Sequence, residues 1–140
     1  MHFVLLAALT LMAAAKEPPT APAVAWVDCA PWDGPAFTVA VGRPGDKTVD
    51  LRRPWLRIAI WHEASSRHGV TYRFPDTEGT TGAVAYEGSA VPSLTGTVRF
   101  STAAPADEII GTFELVTPDA RRLSGQFRGG WRSRQVFCGT

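Results

Sequence analysis

A glycine that recurs at a nearly constant interval in the second half of the chain most constrains its fold. Four segments align on this glycine, and each has Val or Phe two residues after it. Large apolar residues at alternate positions place one set of side chains on a single face, with the period of two that defines a β-strand. The glycines are 14, 15 and 14 residues apart: Gly82, Gly96, Gly111 and Gly125. This spacing, a strand plus a reversal, predicts a C-terminal four-strand antiparallel meander over residues 80–130.

Strand glycines leave gaps on the sheet that rings on neighbouring strands can fill. Residues 117–120 suit a type I turn, which predicts a hairpin between the last two repeats. Keeping the apolar sets on one face predicts these cross-strand pairs: Phe113 with Gly125, Gly111 with Phe127, Phe113 with Gly96, and Gly111 with Val98. Registers two residues away preserve the same faces. We therefore predict that Phe113 is deeply buried between two bare backbones.

The first residues have the composition of an export signal. Residues 1–15 are apolar and uncharged, end in three alanines and precede Lys16. This pattern is typical of a secretory signal peptide. A membrane anchor is the alternative, although about 20 apolar residues are needed to span a bilayer. Residues 16–24, rich in Pro and Ala, are predicted to be a flexible lead-in. We expect a secreted or periplasmic protein with no transmembrane helix in its mature form.

Residues 25–140 have the length of a single domain. The formal net charge is +1, so global charge favours no particular partner and argues against nucleic-acid binding. Cys29 and Cys138 lie close to the two ends of this domain. An even pair of cysteines in an exported protein predicts a disulfide.

Strand patterns also precede the meander. Residues 37–41 and 70–74 alternate between large apolar side chains and small or polar ones, and residues 55–61 have apolar side chains on both faces. No helical period extends over about ten residues or more after residue 15. The chain is therefore predicted to be all-β, with about 8–10 short strands in an antiparallel β-sandwich or a flattened up-and-down β-barrel.

Candidate catalytic chemistry is confined to one cluster, which consists of His62, Glu63 and His68. The two histidines are six residues apart in a strand-to-turn segment, whereas a zinc protease needs them one helical turn apart. A chain reversal would still allow a weak metal site or an acid/base pair, but solvated loop histidines are the simpler interpretation. No serine nucleophile elbow and no cofactor motif is present.

Two pairs of carboxylates lie in predicted loops, where solvated turns are the simplest interpretation: Asp76 with Glu78, and Asp107 with Glu108. Glycosidase chemistry requires two carboxylates at a controlled separation across a cleft, which a sequence does not reveal. We therefore predict no catalytic residue, no metal ligand and no cofactor.

The last strand has a row of basic side chains alternating with its apolar ones. If the strand continues past residue 130, four arginines face one way: Arg122, Arg128, Arg132 and Arg134. The planar guanidinium group pairs well with phosphate, sulfate and carboxylate. The predicted partner is a macromolecule or an anionic surface at the cell envelope. The alternative is an outer face kept soluble by charge, with Glu114 on the neighbouring strand neutralising part of it.

Five tryptophans are many for 140 residues. Trp55 and Trp61 share a predicted face with Arg57, and exposed aromatic rings can stack on sugars or contact a protein. The alternative is that these rings cover the second face of the sheet against residues 26–32, which Cys29 would hold in place.

Residues 123–130 resemble a strand of the avidin family, whose members bind biotin in a small eight-stranded barrel. The resemblance covers eight residues and is accompanied by no set of ligand-contacting residues, so it implies no function for this chain.

Three functions are compatible with these features. The leading hypothesis is a non-catalytic binding or interaction protein of the cell envelope or extracellular space. The second is a carrier of a small apolar ligand, which requires a cavity that Phe74, Phe100, Phe113 and Phe127 would fill. The third is a hydrolase or metal site at His62, Glu63 and His68.

Overall fold

The computed structural model describes residues 19–64, 69–75, 79, 81–89, 93–133 and 136–139. The strands are β1 (Thr20–Cys29), β2 (Pro35–Val41), β3 (Leu56–Ile60), β4 (Val70–Phe74), β5 (Gly82–Tyr86), β6 (Thr95–Thr102), β7 (Ile109–Val116) and β8 (Arg122–Trp131). They form one mixed sheet in the order β4-β6-β7-β8-β1-β2-β3-β5, which is nearly closed like a barrel. The all-β prediction is confirmed. The predicted signal peptide lies outside the described residues, whereas residues 20–24, predicted to be flexible, belong to β1.

The last hairpin has the predicted register. Phe113 pairs with Gly125 and Gly111 pairs with Phe127 across β7 and β8. Between β6 and β7 the register differs by two residues from the prediction, because Phe113 pairs with Val98 and Gly96 lies opposite Leu115. A shift of two keeps every side chain on its face, so hydrophobic patterning alone does not distinguish the two registers.

The predicted four-strand meander is wrong in its first member. β6, β7 and β8 are consecutive neighbours, but β5 pairs with β3 while β4 occupies the place beside β6. Gly82 still admits a close neighbouring backbone, since a Cβ there would lie 2.0 Å from the Ala59 carbonyl oxygen. The glycine pattern thus predicted a close strand contact correctly and its partner incorrectly.

The first strand, β1, pairs in parallel with the last strand, β8, where an all-antiparallel sheet was predicted. The contact is close because Gly129 has no side chain: a Cβ there would lie 1.5 Å from the Ala23 carbonyl oxygen. Cys29, the last residue of β1, forms a disulfide with Cys138, with a Cα–Cα distance of 5.5 Å. The predicted disulfide is confirmed.

Aromatic rings fill the interior of the barrel. Phe37, Phe100, Phe113 and Phe127 are each at most 2% exposed, which confirms the predicted burial of Phe113. Their ring centroids lie 5.4 Å apart for Phe37 and Phe100, 5.7 Å for Phe100 and Phe127, and 6.5 Å for Phe113 and Phe127. The strands therefore enclose a packed core of interlocking rings.

Candidate functional site

Polar side chains cover the outer surface of β4, β6, β7 and β8, because alternate residues of each strand point away from the core. Cross-strand pairing aligns them in two rows. The first row consists of Arg73, Thr97, Glu114 and Ser124, and the second row, beside the first, consists of Thr71, Arg99, Thr112 and Gln126. We call these two rows, together with Arg122, the arginine–threonine face.

Two open grooves run over this face. One has a volume of about 440 Å³ and is lined by Arg73 and Arg122, with Gly96 also in its wall. The other, of about 470 Å³, is lined by Arg99 and by threonine hydroxyls. Both grooves share Thr97, Glu114 and Ser124. Neighbouring strands lie about 4.8 Å apart, so the four-strand row from Arg73 to Ser124 spans roughly 14 Å.

The charge of the arginine–threonine face is predominantly positive. Within the described ranges, Arg73, Arg99 and Arg122 form no ion pair, whereas Arg128 pairs with Glu108 at the edge of this face. Glu114 is the single carboxylate of the two rows. Among the described residues, three guanidinium groups of this face thus have no carboxylate partner, and one carboxylate, that of Glu114, lies in the same rows.

The predicted arginine row is only partly assembled. Arg122, Arg128 and Arg132 are exposed, and Arg134 lies outside the described residues. Arg128 Nε donates a 2.8 Å hydrogen bond to Glu108 Oε2, so Glu108, rather than the predicted Glu114, neutralises this part of the row. The cationic surface instead extends across the sheet to Arg73 and Arg99, which sequence reasoning missed.

The two predicted binding tryptophans do not share a face. Trp55 precedes β3 and contacts Phe113 and Tyr86, with ring centroids 5.8 and 6.2 Å apart. Trp61 follows β3 and lies 5.5 Å from the ring of Trp32. The period of two applies only within the five residues of β3, and both tryptophans lie just beyond its ends. Of the predicted cover by residues 26–32, the ring contact with Trp61 comes from Trp32.

The candidate catalytic cluster is not assembled among the residues that the structure describes. His68 lies outside them, His62 and Glu63 are exposed, and the His62 ring stacks on Tyr72 at 6.1 Å. Asp107 is exposed, Glu108 pairs with Arg128, and Asp76 and Glu78 fall outside the described residues. Over the described ranges, no group of three or more His, Cys, Asp or Glu side chains is placed to hold a metal ion.

Two side chains in the turn between β7 and β8 have shifted pKa values. The Thr117 hydroxyl donates a hydrogen bond to Asp119, and this bond together with the Arg121 charge lowers the pKa of Asp119. In return, Asp119 raises the pKa of Arg121. Asp119 and Arg121 are exposed and belong to the turn, so we assign them a structural role.

Among the described residues, no helix has the length and apolar character needed to cross a membrane. No family model matches the chain, and comparisons with curated proteins and with solved structures found no significant match.

Proposed function

We propose that the protein is an exported, non-catalytic binding protein of the cell envelope or extracellular space, and that its arginine–threonine face binds an anionic polysaccharide. The observation that supports this proposal is the set of three exposed arginines, Arg73, Arg99 and Arg122, without carboxylate partners in the described part of the chain. Several guanidinium groups on one sheet face offer forks of donors to sulfate, phosphate or carboxylate groups.

The shape of the face favours a polymer over a small anion. Its two grooves are open, lie side by side and share three residues, so one extended chain can contact both. Hydroxyl groups of Thr97 and Ser124 lie between the arginines and supply hydrogen bonds to sugar oxygens. Glu114 disfavours an anion at the centre of the face, so the acidic groups of the ligand are expected at its sides.

Export is supported by two features of the chain. Residues 1–15 have the apolar composition of a secretory signal peptide. The disulfide between Cys29 and Cys138 is compatible with an oxidising compartment.

Two other functions have less support. A carrier of a small apolar ligand requires an internal cavity, and the interior is packed with phenylalanine rings. A hydrolase at His62 and Glu63 requires convergent groups in a cleft, whereas both side chains are exposed and His62 stacks on Tyr72.

Isothermal titration with a heparin octasaccharide, and with an uncharged dextran of similar size, tests the proposal. We expect the purified protein to bind the sulfated probe, with affinity that falls as salt is added. Exposed ion pairs contribute up to about 1 kcal/mol each. Replacing Arg73, Arg99 and Arg122 by Gln should therefore weaken binding by up to roughly 100-fold.

The matched control removes the same charge from another surface. Arg52, Arg53 and Arg57 are exposed and lie outside the arginine–threonine face. Their replacement by Gln should change the affinity by less than about threefold. Equal losses in both triple variants, or failure of the unmodified protein to bind the sulfated probe, would show that this face is no polyanion site.

A further inference from the structure

A short hairpin loop displays an exposed tryptophan at the end of the barrel that also holds the disulfide. β1 and β2 are joined by residues 30–34, directly after the last cross-strand pair, Cys29 with Pro35. The loop is closed by hydrogen bonds from the Ala30 amide to the Gly34 carbonyl oxygen (2.8 Å) and from the Asp33 amide to the Ala30 carbonyl oxygen (2.9 Å). Trp32 lies within this loop and is 54% exposed.

The backbone of the loop is shaped around the Trp32 ring. Asp33 has a φ of 63°, in the left-handed region that non-glycine residues seldom adopt. Gly34 lies directly against the indole, because a Cβ at this position would be 2.7 Å from Trp32 Nε1. The absence of a side chain at Gly34 thus lets the indole lie against the loop, and a side chain at residue 34 would displace the ring.

A second tryptophan contacts this ring, and exposed polar residues lie next to both tryptophans in the chain. Trp61, just after β3, contacts Trp32 edge to face, with centroids 5.5 Å apart and ring planes at 79°. Asp33 is next to Trp32 in the chain, and His62 and Glu63 follow Trp61; all three are exposed. An apolar ring surface with hydrogen-bonding residues next to it in the chain suits a ligand that has apolar and polar sides.

We propose that Trp32 and Trp61 form a platform that binds a neutral glycan of β-linked pyranose rings. A pyranose with equatorial substituents presents an apolar face of C–H groups that stacks on an indole, while its hydroxyl groups bond to imidazole and carboxylate. Asp33 and Glu63 repel a polyanion, so this ligand differs in charge from that of the arginine–threonine face. The platform does not depend on the function proposed above.

The apolar surface at this site is too small for a stable protein interface. In the described part of the chain the large exposed hydrophobic residues are Val27, Trp32 and Phe137. A fully buried aromatic side chain contributes about 150–250 Å², whereas a stable interface buries about 800 Å² per partner, of which roughly 450 Å² is apolar. A sugar ring needs only the face of one indole, so the area available matches a glycan.

Titrations with chitohexaose and cellohexaose, followed by intrinsic tryptophan fluorescence and calorimetry, test the platform. We expect the protein to bind at least one of these β-linked hexasaccharides with a Kd below about 1 mM, and Trp32→Ala to weaken binding at least tenfold. Phe137→Ala removes another exposed ring, 84% accessible, and should leave the affinity within twofold. Heparin binding should be the same in Trp32→Ala as in the unmodified protein.

Gly34→Ala is a second variant, which keeps both rings but displaces the Trp32 indole. Gly34→Ala should also weaken hexasaccharide binding. Such a loss would show that binding requires the position of the Trp32 ring and not only the presence of an indole. The proposal is overturned if neither hexasaccharide binds, or if Trp32→Ala and Gly34→Ala bind as well as the unmodified protein. It is also overturned if sedimentation velocity shows a dimer that Trp32→Ala dissociates, since the ring would then serve self-association.

Discussion

The fit of the Phe113 ring over Gly125 leads to a quantitative prediction about a single methyl group. An alanine at residue 125 would place its Cβ 3.1 Å from Phe113 Cζ and 3.4 Å from Cε1, and the backbone there is not left-handed. Overpacking costs about 1–3 kcal/mol, and the smaller entropy of the unfolded chain returns about 0.4–1 kcal/mol. We expect Gly125→Ala to lower the free energy of unfolding by about 0.5–2 kcal/mol.

The cause of this loss can be isolated with a double-mutant cycle. Phe113→Leu removes the ring and costs part of the about 3–5 kcal/mol typical of Phe→Ala, but it also vacates the space that the new methyl needs. The double variant should be more stable than the sum of the single changes implies, by about 1 kcal/mol. Urea unfolding of the oxidised protein, followed by tryptophan fluorescence, measures each value.

Gly111 supplies the contrasting case. A Cβ there would lie 2.5 Å from Phe127 Cζ and 2.5 Å from the Arg99 carbonyl oxygen. Because the carbonyl belongs to the backbone of β6, shortening Phe127 to Leu should not rescue Gly111→Ala. Our interpretation of the ring and glycine pairs would be refuted if the changes in unfolding free energy of Phe113→Leu and Gly125→Ala were additive. It would also be refuted if Phe127→Leu rescued the stability of Gly111→Ala.

Three further predictions concern chain closure and the β7–β8 turn. Replacing Cys29 and Cys138 by Ser releases a loop of 109 residues and should lower the free energy of unfolding by about 4–5 kcal/mol in urea titrations. Gly129→Ala should abolish the pairing of β1 with β8 and lower the free energy of unfolding by more than about 4 kcal/mol in the same assay. Gly130→Ala is the control: its Cβ would have no atom within 4 Å, so the free energy of unfolding should change by less than about 0.5 kcal/mol. Folding lowers the pKa of Asp119 from 3.8, so the ionised carboxylate of Asp119 stabilises the fold above that pH. At pH 7, Asp119→Asn should therefore melt at a lower temperature than the unmodified protein. This difference in melting temperature should vanish as the pH falls through the pKa of Asp119 in the folded protein.

The sequence predicted local structural features well. The register of β7 and β8 was correct because the turn at residues 117–120 fixes it, and the disulfide was correct because the two cysteines had no other partner. Between β6 and β7 the longer connection does not fix the register, and a two-residue shift leaves each face unchanged.

Neighbour relations between distant strands were not predictable from these patterns. The repeat around Gly82 indicates a face and a close contact, but nothing in it selects β3 over β6 as the partner. The parallel pairing of β1 with β8 likewise brings together the first and last strands, and the small residues of β1, such as Ala23, resembled a flexible segment. Long-range pairing depends on the whole topology.

The candidate sites follow the same division. Arg122 and Arg128 were identified because both lie on one strand, where the period of two gives the face directly. Arg73 and Arg99 join them only through the order of strands β4, β6, β7 and β8. Trp32 was overlooked because it lies in a turn-rich loop, and its importance depends on the contacts with Gly34 and Trp61.

The most direct test of the proposed function is an NMR titration of the amide-labelled protein with the heparin octasaccharide. Binding to the arginine–threonine face predicts that the largest amide shift changes occur in β4, β6, β7 and β8, around Arg73, Thr97, Arg99 and Ser124. The amides of β2 and β3, on the other side of the barrel, should shift little. The proposal would be contradicted if the amide shift changes were centred on β2 and β3, or if they were equally large around every exposed arginine.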